Sequence, residues 1–294
     1  MMKEKMKMMN SELLMPSLYT NYTTRIRNNM IKRNQNWICV IVGKTGHGKS
    51  YVGAKLAQDI DPTFIDSIRD EGLKSRVSVG NKDDFLAIVK KARNKEMKKG
   101  SMIIFDEAGV TISCRTWFEQ NQQALMNILQ SFRILNIGTI FTTPNLSFID
   151  AQARKLIHEY LKALRINYNI NRVILKPFYL DPDTMGDKIY TKYHWFHGIK
   201  MTRLVVAKPS KDFITPYEPE KEVLLDTLIE EAEISSKIEK IRDEQRKVFD
   251  SDIMRRIKEE QIPLDAYTLQ FKFNIGKDRA YRIIANYEKF SLTL

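Results

Sequence analysis

Cysteine is scarce: there are two in 294 residues, Cys39 and Cys114, and neither sits in a Cys-x-x-Cys pair or a Cys/His cluster. That excludes a disulfide framework and a structural zinc site. Long apolar runs are lacking too. No stretch approaches the roughly 20 apolar residues that cross a bilayer, and the Met- and Lys-rich start, Met1 to Asn10, has no signal-peptide core. The expectation is a soluble, cytoplasmic chain without membrane insertion. No internal repeat or low-complexity tract occurs. Acidic residues fall short of basic ones, 36 against 48, for a formal net charge of +12. Part of that excess is local, in Lys3, Lys5, Lys7, Arg25, Arg27, Lys32 and Arg33. It is either a solvated basic tail or the footprint of a polyanionic partner.

What is present is a core. Hydrophobic residues make up 43% of the chain, enough for one sizeable domain and a small accessory module. Residues 1–36 read as a basic extension carrying a short amphipathic helix from Tyr19 to Ile31. From Trp37 strands and helices alternate, the pattern of a parallel sheet covered on both faces. Trp37 to Val42 is an unbroken apolar run, as in a central strand. A helix over Ser50 to Asp59 and a short strand over Arg76 to Val79 follow. Next come a helix from Asp83 to Lys95, with Phe85, Ile88 and Val89 on one face, and a buried strand from Met102 to Phe105. A helix from Phe118 to Phe132, a strand from Gly138 to Thr142 and a helix from Ala151 to Leu164, capped by Asp150, continue the alternation. A β-hairpin is expected around Asp181 to Gly186, and a further strand over Leu204 to Ala207. Pro209, Pro216 and Pro219 should break regular structure ahead of a charged helix from Lys221 to Asp250. The expected domains are therefore 37–208, a linker with a charged helix over 209–250, and a small helical module over 251–294.

Gly43-Lys44-Thr45-Gly46-His47-Gly48-Lys49-Ser50 fits G-x-x-x-x-G-K-S and lies between an apolar strand and a helix. Glycines let the backbone curl so that successive N–H groups and the helix N-terminus face phosphates. Lys49 should bridge the β- and γ-phosphates and Ser50 should ligate Mg²⁺. Gly43 through Ser50, with Tyr51 after them, form the expected nucleotide-binding set. Lys44 and His47 occupy variable loop positions without assigned chemistry. Ser101 to Glu107 is an apolar strand that ends in two carboxylates at the sheet edge beside this loop. Asp106 would hold Mg²⁺ through its water shell, and Glu107 would polarise the attacking water. ATP and Mg²⁺ are thus the expected cofactors. At the end of the next strand, Thr142 or Thr143 could sense the γ-phosphate, with Thr143 the catalytic candidate. A cation supplied between subunits has three candidates, Arg115, Arg133 and Arg154, with Arg133 the first choice.

The order strand, P-loop, inserted strand, Asp-Glu strand, sensor strand resembles the additional-strand catalytic-glutamate ATPases, a RecA-like α/β fold. Asp106-Glu107-Ala108, the helix ending in Arg133, and Ile140 to Asn145 followed by Ser147, Ile149 and Asp150 are similar to the FtsK/HerA superfamily. The likeness includes its zonula-occludens-toxin-like phage and plasmid branch and covers roughly Trp37 to Lys208. The sequence departs from that family in carrying Thr143 where glutamine usually ends the sensor strand.

Gln270 to Arg282 is similar to the helix-turn-helix of the FtsK γ domain, with Gly276 as the turn glycine. Phe273, Ile275, Ala280, Ile283 and Ile284 would form its core. Lys277, Arg279, Arg282 and Asn286 would line the exposed face of the second helix, facing DNA. The resemblance implies an ATP-driven translocase or pump of viral, plasmid or conjugative type, working on DNA, double-stranded in the first instance. It also implies a homo-oligomeric ring, such as a hexamer, in the cytoplasm, that of the host for a viral protein. An ATP-gated DNA-binding switch or helicase loader uses the same motifs, and a virion-assembly ATPase is the third reading.

Overall fold

Every residue of β1 (Trp37–Val42) is buried, and alternate side chains serve opposite faces of the sheet. Trp37, Cys39 and Ile41 enter one hydrophobic cluster, and Ile38, Val40 and Val42 the other. A computed structural model describes residues 18–108, 132, 134–149, 151–183, 186 and 188–291. They form two compact units that divide between Leu225 and Asp226.

The first unit is built on an eight-stranded sheet with the order β10-β6-β5-β1-β4-β3-β2, and β7 pairs with β6. Its parallel part comprises β5 (Glu159–Asn167), β1, β4 (Gly138–Thr143), β3 (Met102–Asp106) and β2 (Val77–Val79). The antiparallel part adds β6 (Arg172–Pro182), β7 (Ile189–Lys192) and β10 (Leu204–Ala207). A separate ribbon pairs β8 (Trp195–Phe196) with β9 (Ile199–Lys200). The hairpin and last strand expected from sequence are β6, β7 and β10. Because β4 lies between β1 and β3, the strand leading to the glycine-rich loop is not a neighbour of the strand ending in the two acids. That inserted strand is the mark of the RecA-like, additional-strand fold. Gly138 opens β4 where nothing larger fits: a Cβ there would stand 2.2 Å from the sulfur of Met102.

One face of the sheet carries α2 (Lys49–Ile60) and α3 (Phe64–Glu71), together with helix α1 over residues 18–32. Tyr22, Ile26 and Met30 of α1 are buried in this cluster, so these residues belong to the core and not to a free basic extension. The other face carries α4 (Lys82–Arg93), through Phe85, Ile88 and Ala92, and the single turn α5 (Ala151–Arg154). Asn81 caps α4 by accepting from the N–H groups of Asp83 and Asp84. A buried ion pair, Arg76 to Asp61 at 3.2 Å, anchors β2 and β3, and Asp61 also accepts the Met102 N–H at 2.9 Å.

Three sequence expectations are corrected. The helix expected from Ala151 to Leu164 is one turn followed by β5, because pairing with β1 on one side and β6 on the other takes Glu159 to Ala163 as a strand. Pro216 and Pro219 do not break the chain: both lie inside α6 (Lys211–Glu259). Burial of Phe213 and Tyr217 on that helix offsets the two N–H groups it forgoes. The third concerns the boundary at 208, since Lys211 to Leu225 belongs to the first unit. The expected helix from Phe118 to Phe132, its Arg133, the cap Asp150 and Cys114 with Arg115 lie outside the described residues, save for Phe132 itself, which is buried.

The second unit has its own core of Ile253, Ile257, Ile262, Leu269, Ile275, Ala280 and Ile283. Here α7 (Ala266–Phe273) is capped by Asp265, which accepts the Thr268 N–H at 2.9 Å. Asn274, at φ 50°, turns the chain toward α8 (Lys277–Ser291). The left-handed residue of this turn is thus Asn274, while Gly276 has an ordinary φ.

Candidate nucleotide site

The chain leaves β1 at Val42 and enters α2 through Gly43 to Gly48, with Gly46 at φ 80° and Gly48 at φ 75°. Left-handed φ values favour glycine, and at Gly48 a Cβ would also meet Val173 at 2.8 Å. No side chain caps the α2 N-terminus, and its first turn has no acid. Its backbone donors and the positive end of its dipole are therefore left for an anion. Lys49, only 5% exposed, sits at the first helical position, and its ammonium reaches the Lys44 carbonyl at 3.4 Å. Beside the loop, Gly43, Lys44 and His47 share a cleft of ≈ 400 Å³ with Asn145, Tyr160 and Lys162. Tyr51 turns its hydroxyl to Glu218 of α6 at 2.8 Å.

Asp106 ends β3 fully buried, and Glu107 follows at φ 54°. A non-glycine residue held in that region costs of order 1 kcal/mol or more and persists only where its surroundings fix it. Thr142 of β4 does so: its hydroxyl donates to Asp106 Oδ1 at 2.6 Å and accepts the Glu107 N–H at 2.9 Å. The Thr142 carbonyl takes the next N–H, that of Ala108, at 3.0 Å. Thr143, on the alternate face, donates to the Asn145 carbonyl at 3.1 Å. Of the two threonines, Thr142 is the one joined to the acids, and Thr143 is not. Arg154 is held by its own loop, donating to the Ile149 carbonyl at 2.7 Å.

Two further residues reach the acids, both from α6. The Tyr217 hydroxyl donates to Asp106 Oδ2 at 2.5 Å. The Lys221 ammonium stands 2.8 Å from Glu107 Oε1 and 3.6 Å from Asp106 Oδ2. Burial first, and then the charge of Asp106, drives the Tyr217 pKa far above that of an ordinary phenol, so it remains a donor. For Lys221 burial pulls the other way, but the two carboxylates more than offset it and its pKa is raised. Sequence reasoning missed this pair because Pro216 and Pro219 marked the segment as irregular. The one available signal was their spacing, which puts Tyr217 and Lys221 on one helical face.

In the second unit Lys277, Arg282 and Asn286 are exposed on α8. Arg279 is not free to join them. Its guanidinium pairs with Asp250 at 2.7 Å and lies over the Phe249 ring at 4.9 Å. Arg246, Lys277 and Arg282 border a cleft of ≈ 380 Å³ that includes Asp250.

Among the described residues no helix is long and apolar enough to cross a membrane, and no group of three or more His, Cys, Asp or Glu could hold a metal ion. Oxygen donors from Ser50 and Asp106 fit a hard cation that arrives with a nucleotide and keeps several waters, as Mg²⁺ does.

Residues 38–179 match the family model of zonular occludens toxin (Zot). The Gene 1 protein of Escherichia phage If1 is 26% identical over 142 residues, covering 42% of this chain and 40% of that protein. The Gene 1 protein of Enterobacteria phage M13 is 25% identical over 158 residues, 47% of this chain and 43% of that protein. In both cases the match spans less than half of the relative. Among solved structures, the N-terminal domain of zonular occludens toxin from Neisseria meningitidis is 16% identical. The match covers 62% of this chain and 99% of that one, with a TM-score of 0.32. The genome packaging NTPase B204 from Sulfolobus turreted icosahedral virus 2, in complex with ATP-gammaS, is 14% identical, with 53% and 96% covered and a TM-score of 0.31. Residues 38–179 are thus similar to the Zot family, and their sheet and glycine-rich loop are those of the P-loop ATPase class.

Proposed function

We propose that this chain hydrolyses MgATP to move DNA during the assembly of a virus-like particle, as a homo-oligomer. The observation that carries the catalytic part is one constellation. The uncapped N-terminus of α2, with Lys49 and Ser50, lies by two acids that are tied together through the Thr142 hydroxyl, which donates to the Asp106 carboxylate and accepts the Glu107 N–H.

In this reading the loop N–H groups and Lys49 bind the β- and γ-phosphates, and Ser50 and Asp106 hold the cation. Mg²⁺, when bound, would neutralise phosphate charge. Glu107 accepts a hydrogen bond from the attacking water and orients it, while Thr142 fixes the backbone from which Glu107 reaches. The transition-state cation is assigned to a neighbouring subunit, with Arg133 as its candidate. Support for a DNA substrate comes from the +12 charge and the exposed Lys277, Arg282 and Asn286. The viral setting rests on the Zot-model match and on the phage Gene 1 proteins. Because Arg279 is engaged with Asp250, we assign the α8 face to phosphate contacts and not to base readout.

The test is steady-state ATPase activity of the full chain and of Glu107→Gln, with and without long double-stranded or single-stranded DNA. Oligomeric state is recorded in the same nucleotide. DNA-stimulated turnover by an oligomer, lost in the variant while MgATP still binds, supports the motor. Slow turnover indifferent to DNA in a monomer or dimer refutes it in favour of a nucleotide switch.

A further inference from the structure

The carboxylates that the proposed reaction needs are already spoken for. Asp106 is buried with Oδ1 bonded to Thr142 and Oδ2 bonded to Tyr217, and Glu107 is in an ion pair with Lys221. A carboxylate paired with an ammonium is a weaker acceptor for a water proton, and an oxygen that accepts a phenol cannot also take a metal-bound water in the same place.

The contacts around this pair come from one stretch of α6. Glu218, between them, accepts the Tyr51 hydroxyl next to Ser50, and Glu220 and Asp212 pair with Lys74 at 3.5 Å and Arg69 at 2.8 Å. The Tyr217 ring stacks on Phe213 at 4.9 Å and meets Tyr51 edge-on at 6.2 Å. A single helical segment therefore touches the residue after the P-loop serine and both acids.

We propose that Tyr217 and Lys221 form a latch on the nucleotide site: they are positioning residues that hold Asp106 and Glu107 in a resting arrangement, which MgATP must displace before hydrolysis. The idea rests on the reading that these acids serve MgATP hydrolysis. Tyr217 occupies an oxygen of Asp106, the acid that would hold the cation, so binding expels its hydroxyl. With Asp106 engaged by the cation, Lys221 loses one of its two anionic partners and the Glu107 pair loosens.

The experiment uses the full chain with Lys221→Met, Tyr217→Phe, Glu107→Gln and the double variant Lys221→Met/Glu107→Gln. Lys221→Met should raise kcat at least threefold, and Tyr217→Phe should tighten MgATP binding severalfold while leaving Mg²⁺-free ATP unchanged. The double variant should be as inactive as Glu107→Gln alone, showing that the gain runs through Glu107. Unchanged or reduced kcat in Lys221→Met overturns the latch, and a large reduction would make the lysine a transition-state cation instead. A second readout does not need turnover: the Tm effects of Lys221→Met and Glu107→Gln should be non-additive by about 2 °C without nucleotide, and additive with MgATP. A wild-type chain that binds MgATP but never hydrolyses it would defeat the proposed function. The latch would then stand if that coupling vanishes on binding and fall if it persists.

Discussion

Replacing Thr142 by valine removes one oxygen and changes almost nothing else, which makes it the sharpest probe of the site. The side chain is fully buried, so the isosteric methyl leaves no cavity. What is lost is the hydrogen bond to Asp106 at 2.6 Å and the acceptor for the Glu107 N–H at 2.9 Å. A hydrogen bond to a charged group contributes about 1.5–3 kcal/mol, and a buried N–H without a partner costs about 1–3 kcal/mol. Tyr217 and Lys221 still hold the other Asp106 oxygen, so the lower half of each range applies and the expected loss is about 2.5–4 kcal/mol. Freeing the backbone at a left-handed residue also lets Glu107 drift, and misplacement of a catalytic group by about 1 Å can lower turnover up to about 100-fold. Urea unfolding without nucleotide gives the first quantity, and steady-state MgATP hydrolysis the second. Thr142→Ser is the control, since it keeps both hydrogen bonds and loses only a methyl, at about 1 kcal/mol. Valine within about 0.5 kcal/mol of wild type, the ordinary range for a substitution without a mechanism, or serine as damaging as valine, would show that the bridging hydroxyl does not organise the site.

Lys49→Ala should weaken MgATP binding by about 10- to 100-fold, the value of one charge-assisted contact, as read by isothermal titration; intact affinity removes the lysine from the phosphate site. His158 accepts the Ile38 N–H through Nδ1 at 3.0 Å, and burial lowers its pKa. Its folded pKa lies below the unfolded value near 6.5, so the unfolded chain takes the proton first and stability drops as pH falls below about 6.5. Thermal melts at pH 7.5 and 5.5 should therefore diverge less in His158→Asn than in wild type, and equal divergence contradicts the assignment. Lys277→Ala and Arg282→Ala should each lower the slope of log affinity against log salt for duplex DNA by about 0.9. Arg279→Ala should instead destabilise the second unit with the slope unchanged, and the reverse pattern would mean that Asp250 releases Arg279 to DNA.

The parts of this site that are local in sequence could be read from it. A strand, eight loop residues and a helix carry the phosphate signature in one stretch, and the two acids follow an apolar strand directly. What failed was decided at long range. Ala151 to Leu164 carries apolar residues at spacings that suit a helix, and only the partners β1 and β6 select a strand for Glu159 onward. Nothing between residues 18 and 32 announces that Tyr22 will be buried against the ring of His194, 5.4 Å away. Tyr217 and Lys221 meet the acids across 111 and 114 residues of chain, and no local pattern encodes such a pairing. The second-unit core was legible in Phe273, Ile275, Ala280, Ile283 and Ile284, while the capture of Arg279 by Asp250 depends on the preceding helix.

The left-handed backbone at Glu107 sets folding and chemistry against each other. Asparagine or glycine would occupy that conformation more comfortably, and neither carries the carboxylate. A selection that scored only heat resistance would drift toward those residues and return a sturdier protein that binds nucleotide and does nothing with it. Persistence of glutamate at this position in functional variants, against that drift, would be the trace of selection for turnover.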